Sequence, residues 1–348
     1  AFVGEEDVME MAEGLMASVY GAVLAKTLPR PFARLTWDEA LGRYGLDKPD
    51  VRFGLELVNI SDVAAECSFK VFAGAVAKGG MVKALNAKGC EHFSRKEIDD
   101  LTDMAAVYRA KGLAWIKVRD DGWQSPITKF FTDEEKAALT ERINMEKGDL
   151  VFFVADEFKV VNEALGHLRN HLGRRLGLID ESQHAFVWVT DFPLMAYDET
   201  THRFEALHHP FTAPKEADYD LLASDPAAAR SRAYDLVLNG AEIGGGSIRV
   251  HQRELQEQVF AALGLQREAF EEKFGFLLSA LDSGAPPHGG IAFGFDRLVA
   301  IMCNEASIRE VIAFPKTQKA ACSLTDAPSA PTKQQLDELA LRVKKVVT

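Results

Sequence analysis

The run of residues 290–297 combines a bare strand face with a terminal arginine. Small residues alternate with isoleucine and phenylalanine from Gly290 to Phe295, and Asp296 and Arg297 end the run. Period-2 alternation predicts a strand, and the small residues leave one of its faces without bulk. An arginine at the end of such a face can stack on a base and reach a phosphate. This run alone leaves open a buried strand whose arginine makes a structural ion pair.

A second strand-like stretch, residues 239–251, has three consecutive glycines flanked by Glu242 and Arg249. Their odd spacing places the two charged residues on opposite faces of a regular strand, and a β-bulge at the glycines would bring both toward one cleft. A carboxylate suits Mg²⁺ that carries nucleotide phosphates, and an arginine fork suits a carboxylate. The alternative is a glycine-rich turn with solvated charges.

The words GIAFGFDR (290–297), NGAEIGGGSIRVH (239–251) and HHPFT (208–212) resemble a known enzyme family. The first resembles motif 3 of the class II aminoacyl-tRNA synthetases, and the others resemble the bacterial aspartyl-tRNA synthetases. Further similar words are YGLDKPD (44–50), DFPLMAYDE (191–199) and FPKTQ (314–318). The resemblance covers essentially the whole chain in one order, which makes it far more specific than any single motif.

The resemblance implies ATP-dependent attachment of aspartate to tRNA through an aspartyl-adenylate, with ATP and Mg²⁺ as cofactors. Arg249 would hold the side-chain carboxylate of aspartate, and His208 would line the same pocket. The adjacent His209 would point the other way, and glycines 244–246 would form the pocket floor. Glu242 would bind ATP through Mg²⁺ and act in catalysis together with Arg297. The ATP-binding shelf would consist of Gly294, Phe295, Asp296 and Arg297.

The same resemblance implies that parts of the family's catalytic machinery are missing. The first residues, from Ala1, correspond to those just after motif 2, so motif 1, motif 2 and the anticodon-binding domain have no counterpart. We therefore expect a C-terminal portion that is inactive alone and monomeric, although the parent enzyme is a homodimer. Its partners would be aspartate and tRNA(Asp), with tRNA(Asn) left open. One alternative is a tRNA- or partner-binding module without ligase activity; an amidotransferase-related protein is disfavoured because residues after 181 resemble the synthetase core.

The predicted fold class is α+β, an incomplete class II synthetase core with a mostly antiparallel sheet and flanking helices. Residues 1–60 and 179–348 would form this core, including motif 3. Residues 61–178 would form an inserted α+β domain that resembles the GAD domain, with strands at 67–73, 112–118 and 148–155. The cations Lys83, Lys117 and Arg119 would contact tRNA or form a solvated rim. The absence of GxGxxG and GxxxxGK[ST] argues against a doubly wound nucleotide-binding sheet.

Several helices are predicted from periodicity and capping signals. The first spans 5–26, with Val8, Met11, Leu15, Val19 and Val23 as its core stripe, and Thr36 with Glu39 should cap the next. Further helices are expected at 94–111, 132–143, 157–176, 252–263 and 270–283. The helix at 157–176 carries a Glu-His-His set at zinc-like spacing, but nothing completes a ligand set, so we expect exposed residues at 163, 167 and 171.

Composition adds only broad limits. The chain has 348 residues and a net charge of −12, which disfavours non-specific binding of nucleic acid but leaves local basic patches open. Its four cysteines lack CxxC spacing, and no apolar run approaches the ~20 residues of a membrane span. The sequence therefore predicts a cytoplasmic protein with reduced thiols and no membrane segment.

Overall fold

The computed structural model describes residues 1–344, which form two compact units divided between residues 293 and 294. The strands are β1 (Ala33–Thr36), β2 (Leu57–Asn59), β3 (Met81–Ala87), β4 (Ala114–Arg119), β5 (Gly122–Gln124), β6 (Leu150–Asp156), β7 (Phe186–Thr190), β8 (Met195–Asp198), β9 (Arg203–Ala206), β10 (Ala233–Leu238), β11 (Ala241–Ile248) and β12 (Gly289–Phe293). The helices are α1 (Glu5–Leu24), α2 (Trp37–Tyr44), α3 (Ser61–Glu66), α4 (Lys70–Ala77), α5 (Arg95–Val107), α6 (Asp133–Ile143), α7 (Phe158–Arg175), α8 (Leu221–Ser224), α9 (Arg253–Ala262), α10 (Arg267–Asp282), α11 (Phe295–Met302) and α12 (Lys333–Glu338). None of the helices within this range has both the length and the apolar character that crossing a membrane requires.

The first sheet contains the strands on which the predicted site lies. Its order is β1-β7-β10-β11-β12, and every neighbouring pair is antiparallel except β1 and β7. The α+β prediction of a mostly antiparallel sheet with flanking helices is therefore confirmed. β8 and β9 form a separate two-stranded hairpin.

An inserted region, residues 57–175, separates β1 from β7 along the chain although the two strands are neighbours in the sheet. It forms a second antiparallel sheet of order β2-β3-β6-β4-β5. Helices α5 and α7 pack on one face of this sheet, and α3, α4 and α6 pack on the other. The continuous apolar run of β6 follows from this arrangement, because that strand is buried on both faces.

Capping chemistry sets the start of α2 as the sequence predicts. The hydroxyl of Thr36 accepts a hydrogen bond from the backbone N–H of Glu39 at 3.1 Å, and the Thr36 N–H donates to Oε2 of Glu39 at 2.8 Å. The helices predicted at 94–111, 132–143, 157–176, 252–263 and 270–283 are confirmed to within a few residues.

The strand predicted at 67–73 is wrong, because this segment leads into helix α4. Phe69, Phe72 and Val76 all pack into the core between the helices and the second sheet. Their spacing of three and four residues is that of one helix face, whereas alternate residues of a strand would be needed to bury a sheet face.

The core stripe predicted for α1 is also wrong, apart from Val8. The buried face instead includes Met16, Tyr20 and the charged Glu13, and the side chains of Met11, Leu15 and Val23 are exposed. Oε1 of Glu13 accepts hydrogen bonds from Nε1 of Trp188 at 3.0 Å and from the N–H of Phe32 at 3.2 Å. Because a charged residue, Glu13, lies on the buried face of α1, a prediction from the spacing of apolar residues alone selects the wrong face.

The run 290–297 does not form one strand. β12 ends at Phe293, Gly294 precedes α11, and Arg297 lies in the first turn of that helix in the second unit. The prediction of one continuous strand is therefore wrong. The strand face without bulky side chains is present, since Gly290 and Ala292 are both exposed on β12.

Candidate functional site

A β-bulge in β11 brings the predicted acid and arginine to one side of the first sheet. Leu236 of β10 pairs with Gly244, but the next residue, Val237, pairs with Glu242, so one residue of β11 is extra. The extra residue reverses the odd spacing that would separate Glu242 from Arg249 on a regular strand. A Cβ atom at position 245 would lie 3.2 Å from Oε1 of Glu242, which places both residues on the same face.

Arg249 directly follows β11 and is held by its backbone. Its N–H donates to the carbonyl of His288 at 2.9 Å, and the residue forms an isolated β-bridge with Thr212. Its Nη1 atom is buried and has no hydrogen-bond partner among the described residues. Burial lowers the pKa of this guanidinium from its usual value. A buried donor of this kind is unfavourable unless an acceptor fills the space beside it.

The space beside Arg249 is a cavity of about 620 Å³. Its walls combine backbone of low bulk with polar side chains, and its residues include His209, Gly245, Gly246, Arg249, His288, Gly290 and Ala292. The bare face of β12 therefore opens into the same cavity as the arginine. A flat or anionic ligand of small size fits both features.

Asp235 of β10 lies next to Glu242 and was not identified from the sequence. Its side chain is 5 % exposed, and burial together with the neighbouring Glu242 raises its pKa to about 7. Lys48 opposes this effect, and its Nζ lies 2.8 Å from Oε2 of Glu242. The only signal in the sequence is an acid in the middle of the apolar stretch AYDLVL, which is unusual for a buried strand.

The carboxylate pair faces a second cavity of about 890 Å³. This cavity is lined by the loop after α2, by residues of α7 and by the first sheet, including Asp47, Lys48, His208, Asp235 and Glu242. Residues 45–48 of the YGLDKPD segment thus line this cavity.

The two adjacent histidines are placed opposite to expectation. His208 lines the cavity of the carboxylates, where its ring packs edge-on against Phe192 at 4.5 Å between centroids. His209 lines the cavity of Arg249, and its Nδ1 accepts a hydrogen bond from the N–H of Phe211 at 3.2 Å. Consecutive residues of an extended segment point to opposite sides, so only one of them can share a cavity with the arginine.

At each of glycines 244–246 a side chain would meet a different neighbouring group. A Cβ at Gly245 would lie 2.6 Å from Oδ1 of Asp235, so this glycine leaves room at the carboxylate pair. A Cβ at Gly246 would lie 2.0 Å from the carbonyl oxygen of Gly290, and one at Gly244 would meet the ring of Phe293 at 2.7 Å. Gly245 and Gly246 line the Arg249 cavity, whereas Gly244 packs against β12.

The donor set at the carboxylate pair fits Mg²⁺ bound together with phosphates. Mg²⁺ commonly uses one or two protein carboxylates and completes its shell with water and phosphate oxygens. Asp235 and Glu242 provide two carboxylates, and the absent side chain of Gly245 leaves space between them. Within residues 1–344 no group of three or more metal-ligating side chains is present, so a cage made only of protein ligands is not offered there.

The predicted ATP-shelf residues Gly294, Phe295, Asp296 and Arg297 belong to the second unit. There Phe295, 72 % exposed, begins α11, and Asp296 lies in its first turn. Their role in ATP binding stays a prediction. At the zinc-like set on α7, the ring of His167 stacks on Tyr108 with 4.0 Å between centroids.

Two of the cations predicted as tRNA contacts or rim residues are buried. Lys83 is 2 % exposed and Lys117 is 9 % exposed, and both donate to backbone carbonyls. Only Arg119 is exposed, as a surface role requires. Sequence cannot distinguish these positions, because all three cations lie on strands with mixed neighbours.

Comparison with known proteins gives a consistent family. The family model described as tRNA synthetases class II (D, K and N) matches residues 1–318. The aspartate–tRNA(Asp/Asn) ligase of Desulfosudis oleivorans is 65% identical over 343 residues, which are 99% of this chain and 58% of that protein. The corresponding ligase of Desulfatibacillum aliphaticivorans is 66% identical over 346 residues, with the same shares covered.

An asparaginyl-tRNA synthetase from Entamoeba histolytica, solved with asparaginyl-adenylate, aligns with a TM-score of 0.41 and 15% identity, covering 92% of this chain and 46% of that chain. The chain spans 58% of the length of the two bacterial ligases above. On the match over residues 1–318, the chain belongs to the class II tRNA synthetases of the D, K and N group.

Proposed function

We propose that this chain carries the aspartate pocket and the metal-binding carboxylates of an aspartate–tRNA ligase. The reaction is ATP-dependent formation of aspartyl-adenylate, followed by transfer of the aspartyl group to tRNA. The names of the bacterial relatives support aspartate and tRNA as substrates. Their names include both tRNA(Asp) and tRNA(Asn), and we propose tRNA(Asp) as the first partner.

The observation that carries this proposal is the buried Nη1 of Arg249 without a partner among residues 1–344. A substrate carboxylate would supply the missing acceptor through a charge-assisted hydrogen bond, which is stronger than a neutral one. The neighbouring His209 adds a polar group to the same cavity, and burial together with the Arg249 charge lowers its pKa. At neutral pH it is therefore an uncharged imidazole, and because its Nδ1 accepts from the N–H of Phe211, its Nε2 carries the proton and can donate one hydrogen bond.

The other residues provide positioning and charge compensation. Mg²⁺ held by Asp235 and Glu242 would neutralise charge on the ATP phosphates. Lys48, at 2.8 Å from Glu242, limits the negative charge of this pair before substrates arrive. The exposed face at Gly290 and Ala292 leaves a flat surface beside the pocket. No covalent nucleophile is needed, because adenylation is driven by alignment and by stabilisation of developing charge.

Arg249 also accounts for selectivity against asparagine. An amide presents an NH₂ group where a carboxylate presents an acceptor and a negative charge. Asparagine could still accept one hydrogen bond through its carbonyl oxygen, but it would leave a second guanidinium N–H facing a donor and the buried charge uncompensated, at a cost of roughly 2–5 kcal/mol. This cost corresponds to about tens-fold to thousands-fold discrimination.

The test is Arg249→Leu in the complete polypeptide, measured by aspartate-dependent ATP–pyrophosphate exchange. We expect loss of exchange with an unchanged circular dichroism spectrum. The matched control is Arg203→Leu, which removes an exposed arginine of β9 that lines neither cavity. Exchange at the wild-type level in Arg249→Leu, or equal loss in both variants, would contradict the assignment.

A binding module without ligase activity is the second class of function to distinguish. It predicts that the complete polypeptide binds tRNA or another partner but shows no exchange even as wild type. The proposed enzyme predicts exchange that requires aspartate, ATP and Mg²⁺ together.

Three further properties belong to the same proposal. Residues 61–178 form a GAD-type domain between core residues 1–60 and 179–348, and Gly294–Arg297 contribute to ATP binding. The complete enzyme is a cytoplasmic homodimer. Sedimentation of the complete polypeptide as a monomer at micromolar concentration would contradict the dimer.

A further inference from the structure

Lys83, a buried lysine of the inserted region, hydrogen-bonds to the C-terminal end of α2, the helix that packs against the first sheet. Lys83 of β3 donates hydrogen bonds from Nζ to the carbonyls of Leu41 and Gly42, at 3.0 and 2.9 Å, and to Oδ1 of Asn162 at 2.7 Å. Its three donors are thereby satisfied. Burial lowers the pKa of Lys83 to about 8. A lysine buried at this cost is fixed in place by its partners.

A buried arginine of α7 binds the same segment of chain a few residues later. Nη2 of Arg169 donates to the carbonyls of Asp50, Phe53 and Gly54 at 2.7–2.9 Å. Its guanidinium carbon lies 3.9 Å from the ring centroid of Phe53 and 4.8 Å from that of Tyr44. The side chain is 1 % exposed, so the contact is fully enclosed.

Between these two cations the backbones themselves are in contact. A Cβ at Gly45 would lie 2.5 Å from the carbonyl oxygen of Asn162 and 2.8 Å from Cα of Gly166. Gly45 also has a φ of 77°, which favours glycine. No side chain other than hydrogen fits between the loop and α7 at this point. We call Lys83, Asn162, Gly166 and Arg169 the clamp.

The segment inside the clamp leads directly to the carboxylate pair. Residues 41–44 end α2, and the clamp holds the chain on both sides of residues 46–48. Lys48 extends from this short span to Glu242, with 2.8 Å between Nζ and Oε2. Asp47, beside it, also contributes to the field at Asp235.

We propose that Lys83 and Arg169 are positioning residues, through which the inserted region holds residues 45–48 so that Lys48 reaches the Asp235–Glu242 pair. In this proposal the inserted region acts on the carboxylate pair of the first sheet through buried contacts, and not through a ligand bound at the surface of the inserted region. Its value for catalysis rests on the proposed function, in which this carboxylate pair holds Mg²⁺.

The first experiment measures the clamp directly in the 348-residue chain. Hydrogen–deuterium exchange of the peptide covering residues 41–54 is compared between wild type and Lys83→Met. We expect exchange in this peptide to rise about tenfold, because the end of α2 loses its partner. The matched control is Lys117→Met, which removes another buried lysine of the second sheet, bonded to the carbonyl of Phe93. Unchanged exchange in Lys83→Met, or an equal rise in both variants, overturns the proposal.

The second experiment asks whether the clamp acts through Lys48. A double-mutant cycle of Lys48→Met and Glu242→Gln, measured by urea unfolding at one pH, gives the coupling free energy between these two side chains, which lie 2.8 Å apart. In the wild-type background we expect a favourable coupling. In the Lys83→Met background the coupling should vanish, because the span that carries Lys48 is no longer held.

A Lys48–Glu242 coupling that persists unchanged in the Lys83→Met background overturns the proposal, as does the absence of coupling in the wild-type background. Should Lys83→Met fail to fold, Asn162→Ala removes only the 2.7 Å partner and should give smaller changes of the same sign. Neither measurement uses ATP, aspartate or tRNA. A failure of the clamp is therefore distinguishable from a failure of aspartate activation.

Discussion

Asp235 is a carboxyl group poised to titrate near neutral pH. Burial and the neighbouring Glu242 raise its pKa to about 7, above its unfolded value. Between pH 4 and pH 7 the folded chain therefore keeps a proton that the unfolded chain has lost. The contribution of Asp235 to the free energy of unfolding is therefore fully present below about pH 4, and it is lost as pH rises through about 7. A shift of this size corresponds to roughly 4 kcal/mol as an upper value.

Asp235→Asn should remove this dependence, because the amide does not titrate. The free energy of unfolding of wild type, relative to the variant, should fall between pH 4.5 and pH 8. Urea unfolding at a series of pH values measures it. The difference between the two proteins cancels the opposite trend from His208, whose pKa is lowered by burial. Parallel stability curves for wild type and variant would show that Asp235 titrates normally.

Sequence alone predicts functional residues where a charged side chain lies close to glycines that leave space for a ligand. Glu242 and Arg249 stand beside glycines, and the predicted bulge lies between them, although the two side chains line different cavities. Asp235 was missed, because one acid in an apolar strand gives no spacing to interpret. His208 and His209 lie in the opposite cavities from those expected, because the sequence shows that consecutive residues of an extended segment point to opposite sides but not which of them points to which side. Lys83 looked like a surface cation because burial depth is a property of the assembled fold.

Helix α1 is attached to the first sheet by one buried carboxylate. Both the indole N–H of Trp188 and the backbone N–H of Phe32 donate to Oε1 of Glu13. Glu13→Leu leaves both buried donors without an acceptor, and we expect a loss of about 2–4 kcal/mol in the free energy of unfolding. Glu13→Gln keeps an oxygen at this position and should cost less than about half as much. Equal losses in the two variants, measured by urea unfolding, would exclude the hydrogen bonds as the cause.

The glycine in the middle of β11 keeps the carboxylate pair open. In Gly245→Ala the new methyl group would meet Oδ1 of Asp235 at 2.6 Å and Oε1 of Glu242 at 3.2 Å. We expect Mg²⁺-dependent ATP binding by the complete polypeptide to weaken at least about tenfold. Isothermal titration calorimetry measures this affinity. Gly54→Ala is the control, because no atom lies within 4 Å of its Cβ position. Unchanged ATP affinity in Gly245→Ala would argue against a metal at this pair.

Element boundaries followed from the sequence where capping and periodicity agree. Thr36 and Glu39 determine the start of α2 through local hydrogen bonds, and the apolar run of β6 requires burial on both faces. The helix α4 was missed because its short sequence, rich in alanine, glycine and valine, contains no capping residue. The strand predicted to reach Arg297 ended early, since nothing in a period-2 pattern marks where Gly294 starts a helix.

The two large sheets of the first unit are connected through the buried clamp, and this should make their unfolding cooperative. Trp188 reports on the first sheet and Trp115 on the second. Single-tryptophan variants that retain one or the other should show coincident urea transitions. Arg169→Met removes the cation that binds three carbonyls, and the two transitions should then separate. If both transitions of Arg169→Met move to a lower urea concentration but still coincide, the two sheets are joined mainly by other contacts.

The parallel pairing of β1 with β7 also determines the order in which the protein can be built on the ribosome. About 150 residues lie between Thr36 and Phe186, which is roughly 8–30 s of synthesis. Throughout that time β1 lacks its neighbour β7, while the whole inserted region emerges and can fold. Lys83 and Arg169 can then bind the end of α2 and the segment that follows it before β7 is synthesised. A nascent chain would thus acquire its second sheet first and complete the first sheet around it.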